Sequence, residues 1–217
     1  MTPVVAGIDC GTNSVRLLVA APVADDSGAP TRLVDLDRRM QIVRLGQGVD
    51  RTGRLDPAAL ERTFAALRDY ADVMHDLGVT ATRMVATSAS RDASNAADFV
   101  AGVRDILGIE PQVISGHEEA ALSYRGATAG VADDLAPSPR LVVDIGGGST
   151  EVVLGEGASV VASRSVDVGC VRMTERHLAS DPPSADEVAR TVADIDAALA
   201  LAGQTVPLAR ARSLVGL

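Results

Sequence analysis

Short apolar runs separated by a glycine-rich turn form the clearest pattern in the chain. Residues 141–143 (LVV) and 152–154 (VVL) are apolar, mainly β-branched runs of the kind that form buried strands. Residues 4–19 (VVAGIDCGTNSVRLLV) contain a second pair of such runs, again separated by a turn that contains glycine. The pattern therefore predicts two strand–turn–strand units.

Helix signals lie between and after these units. Asp56 is a predicted N-cap before Pro57, and apolar residues then recur at helical spacing up to Gly78. Residues 96–107 form another predicted helix, and residues 184–187 (SADE) are a capping box for a third. Strands that alternate with helices predict an α/β fold. Further strands are predicted at residues 32–45, 84–86, 113–114, 158–168 and 213–217, and further helices begin near residues 115 and 170.

The turn at residues 144–151 (DIGGGSTE) contains candidate binding chemistry. Its three glycines are predicted to allow positive φ, so that backbone N–H groups converge on an anion, and its hydroxyls add donors. The flanking carboxylates would repel a bare phosphate, but they suit a hard cation such as Mg²⁺ placed between them and the phosphate oxygens. A glycine-rich hairpin with solvated acids is the alternative interpretation. The predicted phosphate-binding residues are Gly146, Gly147, Gly148 and Ser149, and the predicted metal ligands are Asp144 and Glu151.

The first strand–turn–strand unit repeats this element. Asp9 aligns with Asp144 at the end of the first strand, and Ser14 then falls on Ser149. A repeated hairpin with an acid at this position predicts duplicated α/β halves that close on a phosphorylated ligand from both sides. Ser14 is therefore a further predicted phosphate-binding residue.

These two stretches resemble the sequence motifs of a known family. Residues 7–19 (GIDCGTNSVRLLV) and 142–151 (VVDIGGGSTE) are similar to the first and second motifs of the exopolyphosphatase and guanosine pentaphosphate phosphatase (Ppx/GppA) family, within the actin, Hsp70 and sugar-kinase superfamily. The resemblance implies duplicated ribonuclease-H-like lobes of the actin-like ATPase type. We expect them at residues 1–130 and 131–217, because a stretch with two prolines follows residue 130. Relatives in the family are longer, so the second lobe is expected to be incomplete.

A third stretch implies the catalytic residue. Residues 114–120 (ISGHEEA) are similar to the family segment whose first glutamate is the proposed general base, which implies that Glu118 takes a proton from the attacking water. The structural alternative is that Ser115 and Glu118 form a capping box at the start of a helix. The two roles are compatible.

A fourth stretch and one turn residue imply phosphate contacts. Residues 86–93 (ATSASRDA) resemble the family segment in which an arginine reaches a substrate phosphate, which implies this role for Arg91. An ordinary surface arginine near a helix start is the alternative, although a positive charge is mildly unfavourable there. Asn13 matches a family asparagine that contacts phosphate, and the alternative is an asparagine that tolerates left-handed geometry in a turn.

Composition excludes several classes of function. A net charge of −9 with 2% aromatic residues argues against nucleic-acid binding, and without a long apolar span or secretory signal we expect no membrane role and a cytoplasmic location. All 20 basic residues are arginine, and the absence of lysine excludes Schiff-base chemistry and a Walker A loop. Cys10 and Cys170 are expected to pack rather than react. The position four residues after His117 is Ala121, which excludes a zinc protease helix.

The motifs predict a phosphatase that removes the terminal phosphate of inorganic polyphosphate with Mg²⁺ as cofactor. Guanosine pentaphosphate is the alternative substrate, since no residue of the chain identifies a guanine site. An actin-like kinase is a second candidate class, and a non-catalytic phosphate- or alarmone-binding regulator is a third. Glu118 argues against the regulator, because a carboxylate beside a polyanion does not help binding alone. The sequence leaves open whether the protein forms a homodimer.

Overall fold

Two mixed β-sheets organise the chain in a computed structural model. The chain divides into the units Met1–Val113 and Ile114–Leu217, and each unit contains one of the sheets. None of the helices described is long and apolar enough to cross a membrane. The structure describes residues 3–24, 30–129, 131–132 and 135–217.

The first unit is built on a five-stranded sheet. Its strands are β1 (Val4–Cys10), β2 (Ser14–Ala24), β3 (Pro30–Ile42), β4 (Val79–Ala86) and β5 (Gln112–Val113), and its helices are α1 (Val49–Thr52), α2 (Pro57–Asp76), α3 (Ser88–Asp92) and α4 (Ala96–Leu107). The strand order is β3-β2-β1-β4-β5. The strands β1 to β3 form an antiparallel meander, and β4 and β5 extend the sheet parallel to β1.

Local capping interactions set the helix ends of this unit. The Asp56 carboxylate accepts the N–H groups of Ala58 and Ala59 at 2.8 and 3.2 Å, and Pro57 occupies the first helical position of α2. Helix α4 ends at Gly108, whose φ of 67° favours a residue without a Cβ. Both helix ends agree with the sequence-based prediction.

The second unit is built on a four-stranded sheet. Its strands are β6 (Arg140–Ile145), β7 (Thr150–Glu156), β8 (Ser159–Val166) and β9 (Ser213–Gly216), and its helices are α5 (Gly116–Thr128), α6 (Cys170–His177) and α7 (Ala185–Thr205). The strand order is β8-β7-β6-β9, with β6 to β8 antiparallel and β9 parallel to β6.

Apolar side chains cover both faces of the second sheet. Successive residues of a strand face opposite sides, so Val152 and Leu154 belong to one core cluster and Val153 belongs to another. The first cluster includes Met173 of α6, and the second includes Tyr124 of α5. This burial on both sides explains why the middle of β7 is an uninterrupted apolar run rather than an alternating one.

The two units share one topology. Strands β6, β7, β8 and β9 occupy the same relative positions and directions as β1, β2, β3 and β4. The turns also match, because Gly11 N–H donates to the Ser14 carbonyl at 2.9 Å and Gly146 N–H donates to the Ser149 carbonyl at 2.9 Å. The predicted duplication is confirmed, and it extends to the hydrogen bonding of the turns.

The division between the units differs from the expected position. The sequence predicted it after residue 130, whereas the chain passes from the first unit to the second between Val113 and Ile114. Helix α5 packs on the second sheet because Tyr124 covers Gly155, where an added Cβ would lie 2.1 Å from the Tyr124 Cζ. Part of the proline-containing stretch after residue 130 lies outside the described residues.

Candidate functional site

The turn between β6 and β7 is held by the start of α6. The backbone N–H groups of residues 170–172 donate to the carbonyls of Gly146 and Gly147 at 2.9–3.0 Å. Arg172 Nε donates to the carbonyl of Gly148 at 2.7 Å. Helix N-termini leave N–H groups without intrahelical partners, and here the turn supplies acceptors for them. Three successive carbonyls of the turn are therefore bound on the α6 side.

This arrangement directs the amide groups of the turn away from α6. In a planar trans peptide, a C=O and the N–H that follows it point in opposite directions. The N–H groups of Gly147, Gly148 and Ser149 therefore point to the side opposite α6. Successive N–H groups on one side of a turn form a concavity that suits anions such as phosphate. The geometry supports the predicted phosphate-binding turn at residues 146–149, which is called the cradle below.

Close approach, rather than positive φ, explains the glycines around this turn. A Cβ on Gly146 would lie 3.0 Å from the Ser149 carbonyl oxygen, and a Cβ on Gly169 would lie 2.5 Å from the carbonyl carbon of Gly147. The conformational freedom that residues 146–148 were predicted to allow is not used here, because none of them is among the glycines with positive φ. In the described part of the chain, the glycines with positive φ are Gly48, Gly53, Gly78, Gly108 and Gly157.

Two carboxylates flank the cradle on neighbouring strands. Asp144 on β6 stands directly opposite Glu151 on β7, so both side chains lie on one face of the sheet. Ser123 Oγ donates to Asp144 Oδ2 at 2.5 Å, and Ser165 Oγ donates to Glu151 Oε1 at 2.7 Å. The Ser149 hydroxyl, predicted to bind phosphate, also hydrogen-bonds to Glu151.

The environment of Glu151 disfavours its negative charge. Its side chain is only 1% exposed, and burial raises the pKa of the carboxyl from 4.5 to about 7. The charges of Glu119 and Asp144 raise that pKa further, and the hydrogen bonds from Ser165 and Ser149 partly oppose the rise. A cation between these carboxylates would favour their charged forms, so the donor set fits Mg²⁺, which binds through one or two carboxylates and keeps waters. Over the described ranges, no group of three or more His, Cys, Asp or Glu residues is arranged to hold a metal.

Glu118 and Glu119 lie on different sides of α5. Successive helical residues are about 100° apart around the axis, so Glu118 lies about 160° from the buried Ala120. Glu118 is exposed, and Glu119 is half-buried. Glu119 shares its side of the helix with Ser123, one turn later, and its charge raises the pKa of Glu151. Within the second unit, Glu119 is therefore the glutamate beside the carboxylate pair.

Three residues of this region are absent from the sequence-based prediction: Glu119, Ser123 and Arg172. The i, i+4 spacing of Glu119 and Ser123 is a signal that places both on one helix face. For Arg172 no local signal exists, because its contact with Gly148 joins residues far apart in the chain.

The start of α5 has the Ser115 half of the predicted capping box. Ser115 is the N-cap residue, and its Oγ accepts the backbone N–H of Glu118 at 3.2 Å. This bond uses the backbone N–H of Glu118 and not its carboxylate. His117, next to it, is exposed with Nδ1 3.0 Å from Ser163 Oγ.

The turn of the first unit is held in the same way by the segment that follows β3. The Asn13 carbonyl accepts the N–H groups of Val43 and Arg44 at 3.0 and 2.9 Å, and the Thr12 carbonyl accepts that of Gly46 at 2.8 Å. A Cβ on Gly46 would lie 2.3 Å from Thr12 Cγ2. Gly46 thus has the close-approach role that Gly169 has in the second unit.

Asn13, Ser14 and Arg91 all belong to the first unit. Asn13 and Ser14 are half-buried at the turn, and Asn13 does not have the left-handed φ of the alternative interpretation. Thr12 Oγ1 lies 2.7 Å from Ser88 Oγ, which connects the turn to α3. Arg91 is half-buried in the last turn of α3, so the expected unfavourable position at a helix start is wrong.

The two cysteines differ in environment. Cys10 is 1% exposed in the core of the first unit, and burial raises the pKa of its thiol. Cys170 is exposed at the first position of α6, so the expectation that it packs is wrong. Its backbone N–H, rather than its thiol, contacts the cradle.

Two units of one α/β topology, each with an acid at the end of its first strand and a braced turn after it, form the duplicated α/β fold that the family resemblance implied. The sequence also matches the family model of the Ppx/GppA phosphatase family over residues 23–217. The chain belongs to this family.

Similar proteins carry related names. Exopolyphosphatase 2 of Mycobacterium tuberculosis is 51% identical over 98% of this chain and 67% of its own length. The crystal structure of an exopolyphosphatase-like protein has a TM-score of 0.91 at 44% identity, covering 99% of this chain and 66% of that one. An exopolyphosphatase from Cytophaga hutchinsonii has a TM-score of 0.84 at 26% identity, covering 98% and 66%. The chain thus spans about two thirds of the length of these relatives.

Proposed function

We propose that the protein hydrolyses the terminal phosphoanhydride of inorganic polyphosphate and releases orthophosphate. The observation that carries this proposal is the turn at residues 146–149, whose carbonyls are bound by α6 and whose amides point to the other side, next to Asp144 and Glu151. Membership of a phosphatase family and the names of the similar proteins support hydrolysis of this substrate class.

The residues of the second unit divide into two roles. The amides of residues 147–149 would bind phosphoryl oxygens, and Arg172 would keep the turn in the geometry that presents them. Asp144 and Glu151 would hold Mg²⁺, which when bound neutralises charge that develops on the phosphoryl oxygens. Ser123 and Ser165 orient these carboxylates through their hydrogen bonds.

The general base is a glutamate of the first turn of α5. The family resemblance implies Glu118, which is exposed and whose backbone N–H, rather than its carboxylate, donates to the Ser115 cap. Glu119 is the competing candidate, because it lies on the side of α5 that faces Glu151. Either carboxylate would accept the proton of the water that attacks the terminal phosphorus.

The test is phosphate release by the full-length protein from long-chain polyphosphate, guanosine pentaphosphate and ATP, each with and without Mg²⁺. We expect Mg²⁺-dependent release from polyphosphate that exceeds release from the other two. Faster release from guanosine pentaphosphate would identify that compound as the substrate in place of polyphosphate, with hydrolysis still the reaction. Binding of polyphosphate without release would indicate the regulator instead.

A further inference from the structure

Strand β3 is an open edge of the first sheet. It contains 13 residues and lies at the end of the strand order β3-β2-β1-β4-β5. In the part of the chain that the structure describes, β2 is its only strand partner. The backbone N–H and C=O groups on the other side of β3 therefore lack a neighbouring strand, and such a row is a template for pairing with another chain.

Large apolar side chains accompany this open edge. Single apolar residues are common on protein surfaces, but several together on one unpaired edge strand indicate an interaction site. A further strand on this edge would cover part of their surface and favour association. The exposed apolar residues of β3 are Leu33 at 58%, Leu36 at 44%, Met40 at 57% and Ile42 at 62%.

The pairing of β3 with β2 determines which side chains share a face of the sheet. Leu18 and Ala20 are two residues apart on β2, so both face the same side. Their partners on β3 are Arg38 and Asp35, which therefore face that side as well. The register steps past Leu36 at this point, and this β-bulge is what brings an even-numbered and an odd-numbered residue of β3 to one face.

The face that contains Asp35 and Arg38 has a self-complementary order of side chains. Leu33 and Met40 also belong to it, because they stand opposite Pro22 and Arg16, which continue the alternation of β2. Along β3 the face therefore presents an apolar residue, an acid, a base and an apolar residue. In an antiparallel copy this order is reversed, so the acid meets the base and the two apolar residues meet. The spacing is symmetric about the midpoint between residues 36 and 37, so a single register aligns all these pairs.

We propose that β3 pairs antiparallel with β3 of a second copy of this chain, about a two-fold axis between residues 36 and 37. Asp35 then stands opposite Arg38 of the partner subunit, and Leu33 stands opposite Met40 of the partner subunit. The apolar contacts and the strand hydrogen bonds supply the affinity, and the charges select the direction and the register. The inference is independent of the proposed function.

The charges of β3 fit this role better than a purely protective one. Charged side chains on an edge strand also serve to block pairing, but that role does not require an acid and a base at mirrored positions. Within one chain Arg38 Nη2 donates to Asp35 Oδ2 at 2.8 Å, and both side chains are largely exposed. An exposed pair of this kind contributes little to stability, so the two side chains exchange it for the equivalent pair across the axis at little cost.

Sedimentation velocity of the full-length protein tests the self-association. The net charge of −9 opposes it at low ionic strength, so the measurement is made in about 0.15 M salt, where the screening length is about 8 Å. We expect a reversible monomer–dimer equilibrium with a Kd in the micromolar range, because a single pair of edge strands forms a small interface. A protein that stays monomeric up to about 100 µM would overturn the inference.

Exchange of the two charges identifies the surface. Asp35→Arg places like charges opposite each other at both symmetric positions, so the dimer Kd should rise about tenfold, and Arg38→Asp should have the same effect. The double variant Asp35→Arg/Arg38→Asp restores opposite charges in mirrored order and should return the Kd to within about threefold of the wild type. An unchanged Kd in the single variants would place the contact elsewhere and overturn the inference. Failure of the double variant to recover the dimer would also overturn it.

Glu61→Arg is the matched control for the change in net charge. Glu61 and Arg68 form an exposed ion pair of 3.1 Å on α2, and reversal of the acid changes the net charge by the same amount as Asp35→Arg. The dimer Kd of Glu61→Arg should stay within about twofold of the wild type, because this charge lies outside the proposed contact. Equal effects of Glu61→Arg and Asp35→Arg would reduce the result to net charge and overturn the inference.

Discussion

Gly169 lies against Gly147 so closely that a Cβ on Gly169 would sit 2.5 Å from the Gly147 carbonyl carbon. Gly169 is the N-cap of α6 and has extended backbone angles that other residues also adopt. Its lack of a side chain, and not its conformation, is what the cradle requires. This contact lets the first N–H groups of α6 reach the carbonyls of the turn.

Gly169→Ala should therefore displace the turn and reduce activity. Overpacking at such a contact destabilises a protein by about 1–3 kcal/mol, and the amides that bind phosphate would move with the turn. Phosphate release measures the loss of activity, and the urea midpoint of unfolding measures the loss of stability. Gly126→Ala is the control, because Gly126 is an exposed residue of α5 with open space around it, and alanine should stabilise the helix by about 0.5–1 kcal/mol. Full activity of Gly169→Ala would contradict the bracing role of α6.

Glu151→Gln should stabilise the protein in the absence of Mg²⁺. The buried carboxylate stands beside Asp144 and Glu119, and glutamine removes its charge while it keeps an oxygen acceptor for Ser165. Thermal unfolding at pH 8 with and without Mg²⁺ tests this. We expect a higher Tm without the metal, and loss of the stabilisation that Mg²⁺ gives the wild type.

Glu156→Gln is the matched control at the exposed end of β7, where both effects should be absent. Retention of the full Mg²⁺ response by Glu151→Gln would remove Glu151 from the metal site.

Glu118→Gln and Glu119→Gln distinguish the two candidates for the general base. Loss of a positioned base should lower kcat by roughly 10²–10⁴-fold, with substrate binding retained because a negative charge near the phosphates is removed. Single-turnover phosphate release from polyphosphate measures the effect. Substitution of the residue that is not the base should change kcat much less.

Ser115→Ala is the control for the cap of α5. It removes the hydroxyl that accepts the Glu118 N–H and should cost about 0.5–2 kcal/mol of stability with activity retained. Near wild-type kcat in both glutamine variants would exclude a base on this helix.

Glu187 should make stability depend on pH in the acid range. Its carboxylate accepts hydrogen bonds from the Ser180 hydroxyl and from the backbone N–H groups of Ser184 and Ala179, and these lower its pKa from 4.5 to about 2. A lowered pKa stabilises the folded state above the unfolded value of 4.5, and this contribution is lost as the pH falls toward 2. The free energies of unfolding of Glu187→Gln and the wild type, measured in urea, should differ most above pH 4.5 and converge below it.

Asp186→Asn, one residue earlier in α7, should show little of this convergence, because Asp186 is not the acceptor of these bonds. A difference in the free energy of unfolding between Glu187→Gln and the wild type that stays constant from pH 2 to pH 7 would contradict the lowered pKa of Glu187.

The sequence by itself determined the features that depend on neighbouring residues. An acid at the end of a strand followed by a tight turn, at Asp9 and again at Asp144, was enough to predict the duplication and both hairpins. The helix ends at Asp56, Gly108 and Ser184 were also predictable, and the full capping box of Ser184 is present. Capping bonds and hairpin registers join residues a few positions apart, so their signals are local.

Only the tertiary structure decided which side of α5 meets the second sheet. That orientation depends on contacts such as Gly116 against Ser165, where an added Cβ would lie 2.6 Å from the Ser165 Cβ. The same packing places Glu119 rather than Glu118 beside Glu151. The backbone of Arg44 has a positive φ of 51°, and this conformation likewise follows from a distant contact, the hydrogen bond from the Arg44 N–H to the Asn13 carbonyl. These contacts join residues that are distant in the chain, and close packing between elements, unlike a cap or a turn, leaves no signal in a short stretch of sequence.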